Sequence, residues 1–482
     1  MISRVSLGLA FFLGTFGPSS ADMLWGANGH PLTAYPGISV SQQLDYLKDL
    51  GMTSYRVNVP DLGKLPALTS LVKEAKARGI EILPVITPSN LDLDKESTEA
   101  LYEKARDLAI SLASPFKNDI RVWELGNEME NYAIIQPCEK RDDGSTYPCE
   151  WGPAGGVGPL EYFGPRWAKV SAVLKGLSDG VTSVDPDIRK AIGTAGWGHL
   201  GAFERMQDDG IDWDISVWHA YGEDPQWAFD TLKKYKKPIW LTEFNNPYGS
   251  QRSESQQAEG LRQTMARLKE LQNTHNLEAA FVYELLDEPY WAPNFEAYMG
   301  LVKVVPKKTD GWTPGEPKLA YFTVRDMIRG PKLFSTPTRN CDLASTGNDG
   351  SLVERQVSYA YCLVLGRDAD NEGLESWANT IGSGTTDMPG MLLTMATSEE
   401  FRSRYALFGL SNPAFVNFLY HMLLNREADP IGLATYVKEL NTGAMSRWDI
   451  AYGMIGSSEF KSKHPALFLE KATASQTTTQ RG

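Results

Sequence analysis

Two short segments hold the residues best suited to chemistry: Val122-Trp123-Glu124-Leu125-Gly126-Asn127-Glu128 and Ile239-Trp240-Leu241-Thr242-Glu243-Phe244. Each is a strand-like apolar run that delivers a glutamate. A carboxylic acid can protonate a leaving oxygen while a second carboxylate attacks or supports the anomeric carbon from the other side of the sugar, so this pair suits cleavage of a glycosidic bond. A single strand-end glutamate is more often solvated or ion-paired. The second carboxylate, and the amide of Asn127 beside the first, lift the pair above that plainer reading.

The elements that must position these groups follow from hydrophobic periodicity. From Leu24 to Arg329, short β-branched apolar runs alternate with amphipathic helical stretches, the pattern of parallel strands joined by crossover helices. Strands are expected at 24–30, 54–59, 80–87, 120–128, 190–195, 215–221, 239–245 and 279–285, and helices at 41–50, 65–78, 97–113, 160–178, 255–274 and 319–328. Eight such pairs in about 300 residues predict an α/β fold, a (β/α)8 TIM barrel. A doubly wound open sheet is the rival, but no Gly-x-Gly-x-x-Gly or phosphate loop follows the first strand.

In a barrel of this kind the carboxyl ends of the strands converge on one face. The candidates there are Asn28 and His30, Arg56 and Asn58, Asn127 and Glu128, His219 and Tyr221, Glu243, and Tyr283 and Glu284 with Asp287, Glu288 and Trp291 just beyond. Polar groups able to bind sugar hydroxyls thus gather at one end of otherwise apolar strands. Glu124 reads as a structural residue of the barrel interior or its helix interface.

Trp-Glu-Leu-Gly-Asn-Glu at 123–128 with Trp-Leu-Thr-Glu-Phe at 240–244 resembles the retaining glycoside hydrolases of the large (β/α)8 clan, particularly families 5 and 39. Arg56 and His219-Ala220-Tyr221 extend the resemblance, which spans about Leu24 to Arg329. It implies Glu128 as general acid and base, Glu243 as nucleophile, Asn127 as donor to the sugar 2-hydroxyl, and Arg56, His219 and Tyr221 as groups that orient the carboxylates. Arg56 and His219 also have structural readings, as an ion pair and a buried imidazole. Physically, Arg56 and a tyrosine hydroxyl beside Glu243 would favour its ionised form. Burial and a charged Glu243 about 5 to 5.5 Å away would keep Glu128 protonated, and that spacing implies retention of configuration. The clan often places a Trp at the end of strand eight as the sugar floor; here Tyr283 and Trp291 are the candidates for its place. Trp197 and His199, after strand five, are either a subsite wall or packing between loop and barrel.

The chain has 482 residues, more than one hydrophobic core usually serves, so a large domain and a smaller one are expected. A net charge of -13 argues against nucleic acid or an anionic membrane surface as partner. Residues 1–21 combine Arg4, an apolar run and Pro18-Ser19-Ser20-Ala21, the form of a signal peptide cleaved near Ala21 and hence of a secreted or periplasmic protein. No later apolar stretch is long enough to span a bilayer. Export fits four cysteines, Cys138, Cys149, Cys341 and Cys362, of whose three pairings the two local ones are favoured. Closing the short loop from Cys138 to Cys149 would contribute roughly 2 to 3 kcal/mol. That loop, 129–158, is rich in Gly and Pro and is expected to shape the cleft. Nothing calls for a cofactor, and six His with no His-x-His pair argue against a metal-dependent hydrolase.

After the catalytic domain, 22–330, a Pro/Thr/Ser/Asn/Gly-dense linker is expected at 331–350, then an all-α repeat domain at 351–465 and a disordered tail at 466–482. The stretch 361–370 aligns with 420–429, 59 residues on, and Ser398-Glu399-Glu400-Phe401 aligns with Ser457-Ser458-Glu459-Phe460. Leu-Gly-Arg-Asp-Ala-Asp with Gly373-Leu374 and Trp377 resembles domain of unknown function family 4214, which implies a helical module appended to exported bacterial proteins. Asp368, Asp370 and Gly373 have the look of a calcium loop, but Asn379 stands where a bidentate glutamate is needed; helix capping and an Arg–Asp ion pair explain them more simply. The module is expected to contact glycan or a cell surface, or only to stabilise the barrel.

Taken together, the residues predict a secreted retaining β-glycosidase, endo-acting on an exopolysaccharide or plant cell-wall β-glycan through a covalent glycosyl-enzyme. The alternative is a non-catalytic glycan-binding protein on an inactive barrel.

Overall fold

The computed structural model describes residues 23–307, 311–330, 341, 350–396, 398, 400–401 and 411–469. The expected signal peptide and nearly all of the expected linker lie outside the described residues.

Eight parallel strands close into a barrel: β1 (Leu24–Gly29), β2 (Ser54–Val59), β3 (Glu81–Ile86), β4 (Val122–Leu125), β5 (Arg189–Gly193), β6 (Ile215–Ala220), β7 (Ile239–Phe244) and β8 (Leu277–Val282), with β8 pairing back onto β1. Helices α1 (Val40–Leu50), α2 (Leu65–Ala77), α3 (Thr98–Ala113), α4 (Gly164–Val184), α5 (Gly201–Asp208), α6 (Gln226–Leu232), α7 (Glu254–His275) and α8 (Leu319–Arg329) cover it. Every residue of β6 and β7 is buried, because one face of each strand meets the helices and the other the barrel interior. Trp123, Trp218 and Phe244 pack outward, while Leu83, Ile215, Val217, Trp240 and Phe281 form an apolar plug inside. Helix α1 begins with a Ser39/Gln42 capping box and ends on Gly51 in a left-handed conformation. Helices α3 and α4 approach closely because of Gly176 and Gly180: a Cβ at either would lie 2.4 Å from the Tyr102 carbonyl oxygen or 2.6 Å from that of Arg106.

Three differences from expectation bear on the site. Strand β4 stops at Leu125, so Gly126, Asn127 and Glu128 stand on the turn beyond it. The helix expected from 160 starts at Gly164, after a 3-10 turn at Pro159–Glu161. An unforeseen antiparallel hairpin, β9 (Val302–Pro306) with β10 (Trp312–Pro317), follows β8 and brings Trp312 to the barrel mouth. Its proline- and glycine-bearing strands hide it from an alternation reading.

The regular elements among the described residues of the C-terminal region are helical: α9 (Leu352–Ala360) running into a π turn at Tyr361–Leu365, then α10 (Asn371–Gly382), α11 (Met388–Ala396), α12 (Asn412–Leu424), α13 (Pro430–Thr442), α14 (Arg447–Gly456) and α15 (Ser458–Lys463). It has its own core, with Val357, Met391, Leu392, Val416, Ile450 and Phe460 at its centre. The two copies repeat one another in detail. Arg367 forks onto Glu400 at 2.6 and 2.9 Å, and Arg426 forks onto Glu459 at the same two distances. Asp370 caps α10 by accepting from Gly373, as Asp429 caps α13 by accepting from Gly432, each at 2.8 Å. Arg367 also pairs with Asp370 at 2.9 Å, so capping and ion pairing occupy the carboxylate that suggested calcium. Of the tail expected from 466, the first residues are ordered: Pro465–Phe468 form a 3-10 turn that buries Leu467 in this core, and 470–482 lie outside the described residues. The region meets the barrel where Ser255 Oγ donates to the Leu440 carbonyl and the Ser411 amide donates to Asp326.

Disulfides join Cys138 to Cys149 and Cys341 to Cys362, the two local pairings. Among the described residues, no helix is long and apolar enough to cross a membrane.

Candidate active site

Strand register sets the polar centre. Asn28 on β1 lies beside Arg56 on β2, and His219 on β6 lies beside Glu243 on β7. The register of β7 shifts around Thr242, and in consequence Thr242 and Glu243, adjacent in sequence, both reach groups of the barrel interior. Thr242 contacts His219 Nε2 and Glu124, while Glu243 contacts Arg56 and Tyr221.

Arg56 is the hub, and all five of its N–H groups have an acceptor. Nε and Nη2 fork onto Glu124 at 2.8 and 2.5 Å, Nη1 donates to Asn28 and to Glu243 at 2.7 and 2.6 Å, and Nη2 also donates to Asn127 at 2.7 Å. Glu124 is therefore a structural partner inside the barrel, and Arg56 is at once an ion pair and an orienting group. Tyr221 donates to the second oxygen of Glu243 at 2.6 Å. Burial works against the charged form of Glu243, yet the charges of His219 and Arg56 and the bond from Tyr221 hold its carboxyl below the usual range.

Glu128 stands on the turn after Gly126 with φ 50°, a left-handed conformation uncommon for a residue with a side chain. Its side chain is 31% exposed, so the burial expected of it is absent; it faces the open cleft. His219 Nδ1 lies 2.8 Å from Glu128 and 3.4 Å from Glu243, and the ligand-type atoms of the three residues are within 4.8 Å of one another. Burial pulls the His219 pKa down, but Glu243 and the bond to Glu128 outweigh it and raise the pKa. His219, expected among the substrate-binding groups, does not line the cleft: it sits behind the two carboxylates with both ring nitrogens engaged.

The cleft has a volume of about 1460 Å³, and Arg56, Asn127, Glu128, Tyr221 and Glu243 line its centre. Tyr283, Trp291, His30 and Trp197 all line its walls. Trp197, on the turn after β5, is 77% exposed; His199 also lines the cleft but is buried, with Nδ1 2.9 Å from Glu130. Tyr248, Tyr290, Trp312 and Glu296 also line the cleft and were not legible as site residues, because they come from loops and the hairpin rather than strand ends. Among the described residues, two groups have side chains spaced to share an ion, Glu128/His219/Glu243 and His30/Glu284/Glu288.

Within the closed barrel, residues 165–282, from α4 through β8, match the family described as glycosyl hydrolase catalytic core. The helical region matches domain of unknown function DUF4214 twice, at 349–405 and 393–464. Among solved structures, a family 1 β-glucosidase from Thermotoga maritima is similar at 12% identity, covering 64% of this chain and 98% of that one with a TM-score of 0.46. A family 39 glycoside hydrolase from Bacteroides cellulosilyticus WH2 is similar at 17% identity, covering 63% of each chain with a TM-score of 0.43. No curated protein matches the sequence.

Proposed function

We propose that the protein is a retaining β-glycosidase, exported from the cell and acting within polysaccharide chains, with Glu243 as nucleophile and Glu128 as general acid and base. The observation that carries this reading is the opposite treatment of the two glutamates. Glu243 is buried, fixed through both oxygens and held ionised by Arg56 and Tyr221. Glu128 is half-open to the cleft, with its carboxylate within 4.8 Å of that of Glu243. This close approach supports a direct attack; an inverting pair stands about 6.5 to 9.5 Å apart to admit a water.

In the first step a Glu243 oxygen bonds to the anomeric carbon as the glycosidic C–O bond breaks, and the proton of Glu128 passes to the departing oxygen. In the second, Glu128 takes a proton from water, the hydroxide adds to the anomeric carbon and Glu243 leaves as carboxylate. Asn127, held by Arg56, is placed to donate to the sugar beside the reacting carbon. Endo action is supported by the open cleft and by the exposed rings of Trp197 and Trp291 on its walls, since aromatic faces pack against sugar C–H faces. Export is supported by the two disulfides.

A broad β-glycan panel with product sizing tests the reading. Hydrolysis with retained anomeric configuration is expected, with turnover abolished and binding kept in Glu243→Ala. Binding without hydrolysis of any panel member would instead support a glycan-binding protein on an inactive barrel.

A further inference from the structure

The charges lining the cleft are one-sided. Glu128, Glu223, Glu243, Glu288 and Glu296 reach its surface, and among the described lining residues Arg56 is the only arginine or lysine. All five donors of Arg56 are already committed within the protein. Among the described residues, the cleft lining therefore has no free guanidinium or ammonium with which to receive a carboxylate- or sulfate-bearing sugar. An anionic glycan entering the cleft would meet like charges, which disfavours its binding.

One corner carries the excess. His30 Nε2 lies 3.3 Å from Glu284 and 3.7 Å from Glu288, and the ligand-type atoms of the three residues are within 4.8 Å of each other. Glu284 is wholly buried; one of its oxygens accepts from Tyr35 at 3.1 Å, and the other, Oε1, has no partner. Nε2 of His30, also buried, makes no hydrogen bond despite its approach to Glu284, although His30 lines the cleft. A buried polar atom left unpaired is costly, and burial holds the Glu284 carboxyl well above the usual carboxylate range, so this corner favours an added cationic donor. Burial lowers the His30 pKa, which keeps its ring from neutralising the carboxylates. Burial and then Glu284 push Glu288 up to about 7, as expected where carboxylates face one another with no cation between them. The corner adjoins the reacting centre: the Tyr221 ring, bonded to Glu243, packs on Tyr283 at 6.2 Å, and Tyr283 packs on His30 at 6.3 Å.

We infer that the cleft selects glycans bearing a protonated amine, a de-N-acetylated amino sugar, whose ammonium group is held by Glu288 and Glu296 beside His30, with the buried Glu284 next to that imidazole. This rests on the cleft being the glycan site proposed above and adds its substrate class. An ammonium group offers three N–H donors and a positive charge to this acidic corner, and charge-assisted bonds of this kind are the strong ones. An N-acetyl group in the same place offers a single N–H and brings no charge.

The test uses the full chain carrying Glu243→Gln, so that binding is read without turnover. Titration calorimetry with β-1,3-, β-1,4- and β-1,6-linked glucosamine tetramers, against their N-acetylated counterparts, is expected to show at least about tenfold tighter binding of an amine tetramer. Adding Glu288→Gln, or separately Glu296→Gln, is expected to narrow that ratio; two variants guard against one that fails to fold. Equal or tighter binding of the acetylated tetramers, no binding of any amine tetramer, or a ratio unchanged in both folded variants overturns the inference. A preference lost in EDTA and restored by Zn²⁺ also overturns it, assigning the corner to a metal ion. Wild-type protein that binds an amine tetramer selectively but cleaves none leaves the inference standing and removes the mechanism proposed above. Wild-type protein that cleaves neutral glycans without preferring amines does the reverse.

Discussion

The phenol of Tyr221 donates to Oε2 of Glu243 over 2.6 Å, on the side of the carboxylate opposite the Arg56 contact. Both oxygens are thereby fixed and the ionised form is favoured. Tyr221→Phe removes one preorganised donor, and a fall of about 10²-fold in kcat is expected. The acid limb of kcat/KM should also move to higher pH. With Glu243 as the proposed nucleophile, activity is expected to fall as pH drops through its pKa; that pKa lies below the ordinary value, and removing a donor brings it back up. An unshifted limb with reduced kcat would mean that Tyr221 acts elsewhere.

Arg56 and Glu124 form a two-pronged ion pair in the barrel interior, each side chain only 2% exposed. Arg56→Leu strands Glu124 without a counter-charge and is expected to cost about 3 to 5 kcal/mol in chemical denaturation. The double variant Arg56→Leu with Glu124→Leu should recover part of that loss. A single variant as stable as wild type would show the pair to be dispensable.

In the helical region, His464 Nε2 meets the Leu423 carbonyl at 2.7 Å and Nδ1 meets the Tyr359 hydroxyl at 2.9 Å. Burial lowers its pKa from the ordinary 6.5. The unfolded chain then binds a proton at a pH where the folded one does not. The stability from neutral His464 is present above pH 6.5 and is lost as pH falls below it toward the depressed folded value. Thermal unfolding of the helical region should occur at lower temperature at pH 5 than at pH 7.5, and His464→Gln should flatten that difference.

The disulfide between Cys138 and Cys149 closes a loop of the segment that brings Ala154 and Gly155 to the cleft. Replacing both cysteines by serine is expected to cost about 2 to 3 kcal/mol, read as faster proteolytic nicking within 129–158. Cleavage at the wild-type rate would show that the loop is held by its packing alone.

Much of this architecture was legible because parallel barrels write themselves plainly: buried strands are continuous apolar runs, and their ends carry the polar residues. Ten site residues named from strand ends and flanking turns fall in or directly behind one cleft. What escaped has physical causes. The register shift of β7 lets Thr242 join Glu243 at the centre, and a local bulge has no signature in a six-residue strand. The hairpin carrying Trp312 contains Pro and Gly where alternation is sought. Glu128 was read as the end of a strand, yet its left-handed backbone places it on a turn and leaves it more open than a strand end would be. The role of Glu284 and Glu288 as a group depends on His30, some 250 positions away, and only closure of β8 onto β1 brings them together.

The matching forks, Arg367 on Glu400 and Arg426 on Glu459, make each half of the helical region a reference standard for the other. One interaction is present twice in one chain, with the same spacing and the same geometry but different neighbours. Breaking either fork alone, under identical solvent and temperature, would separate what the bond contributes from what its surroundings contribute, a comparison for which most proteins need two separate molecules.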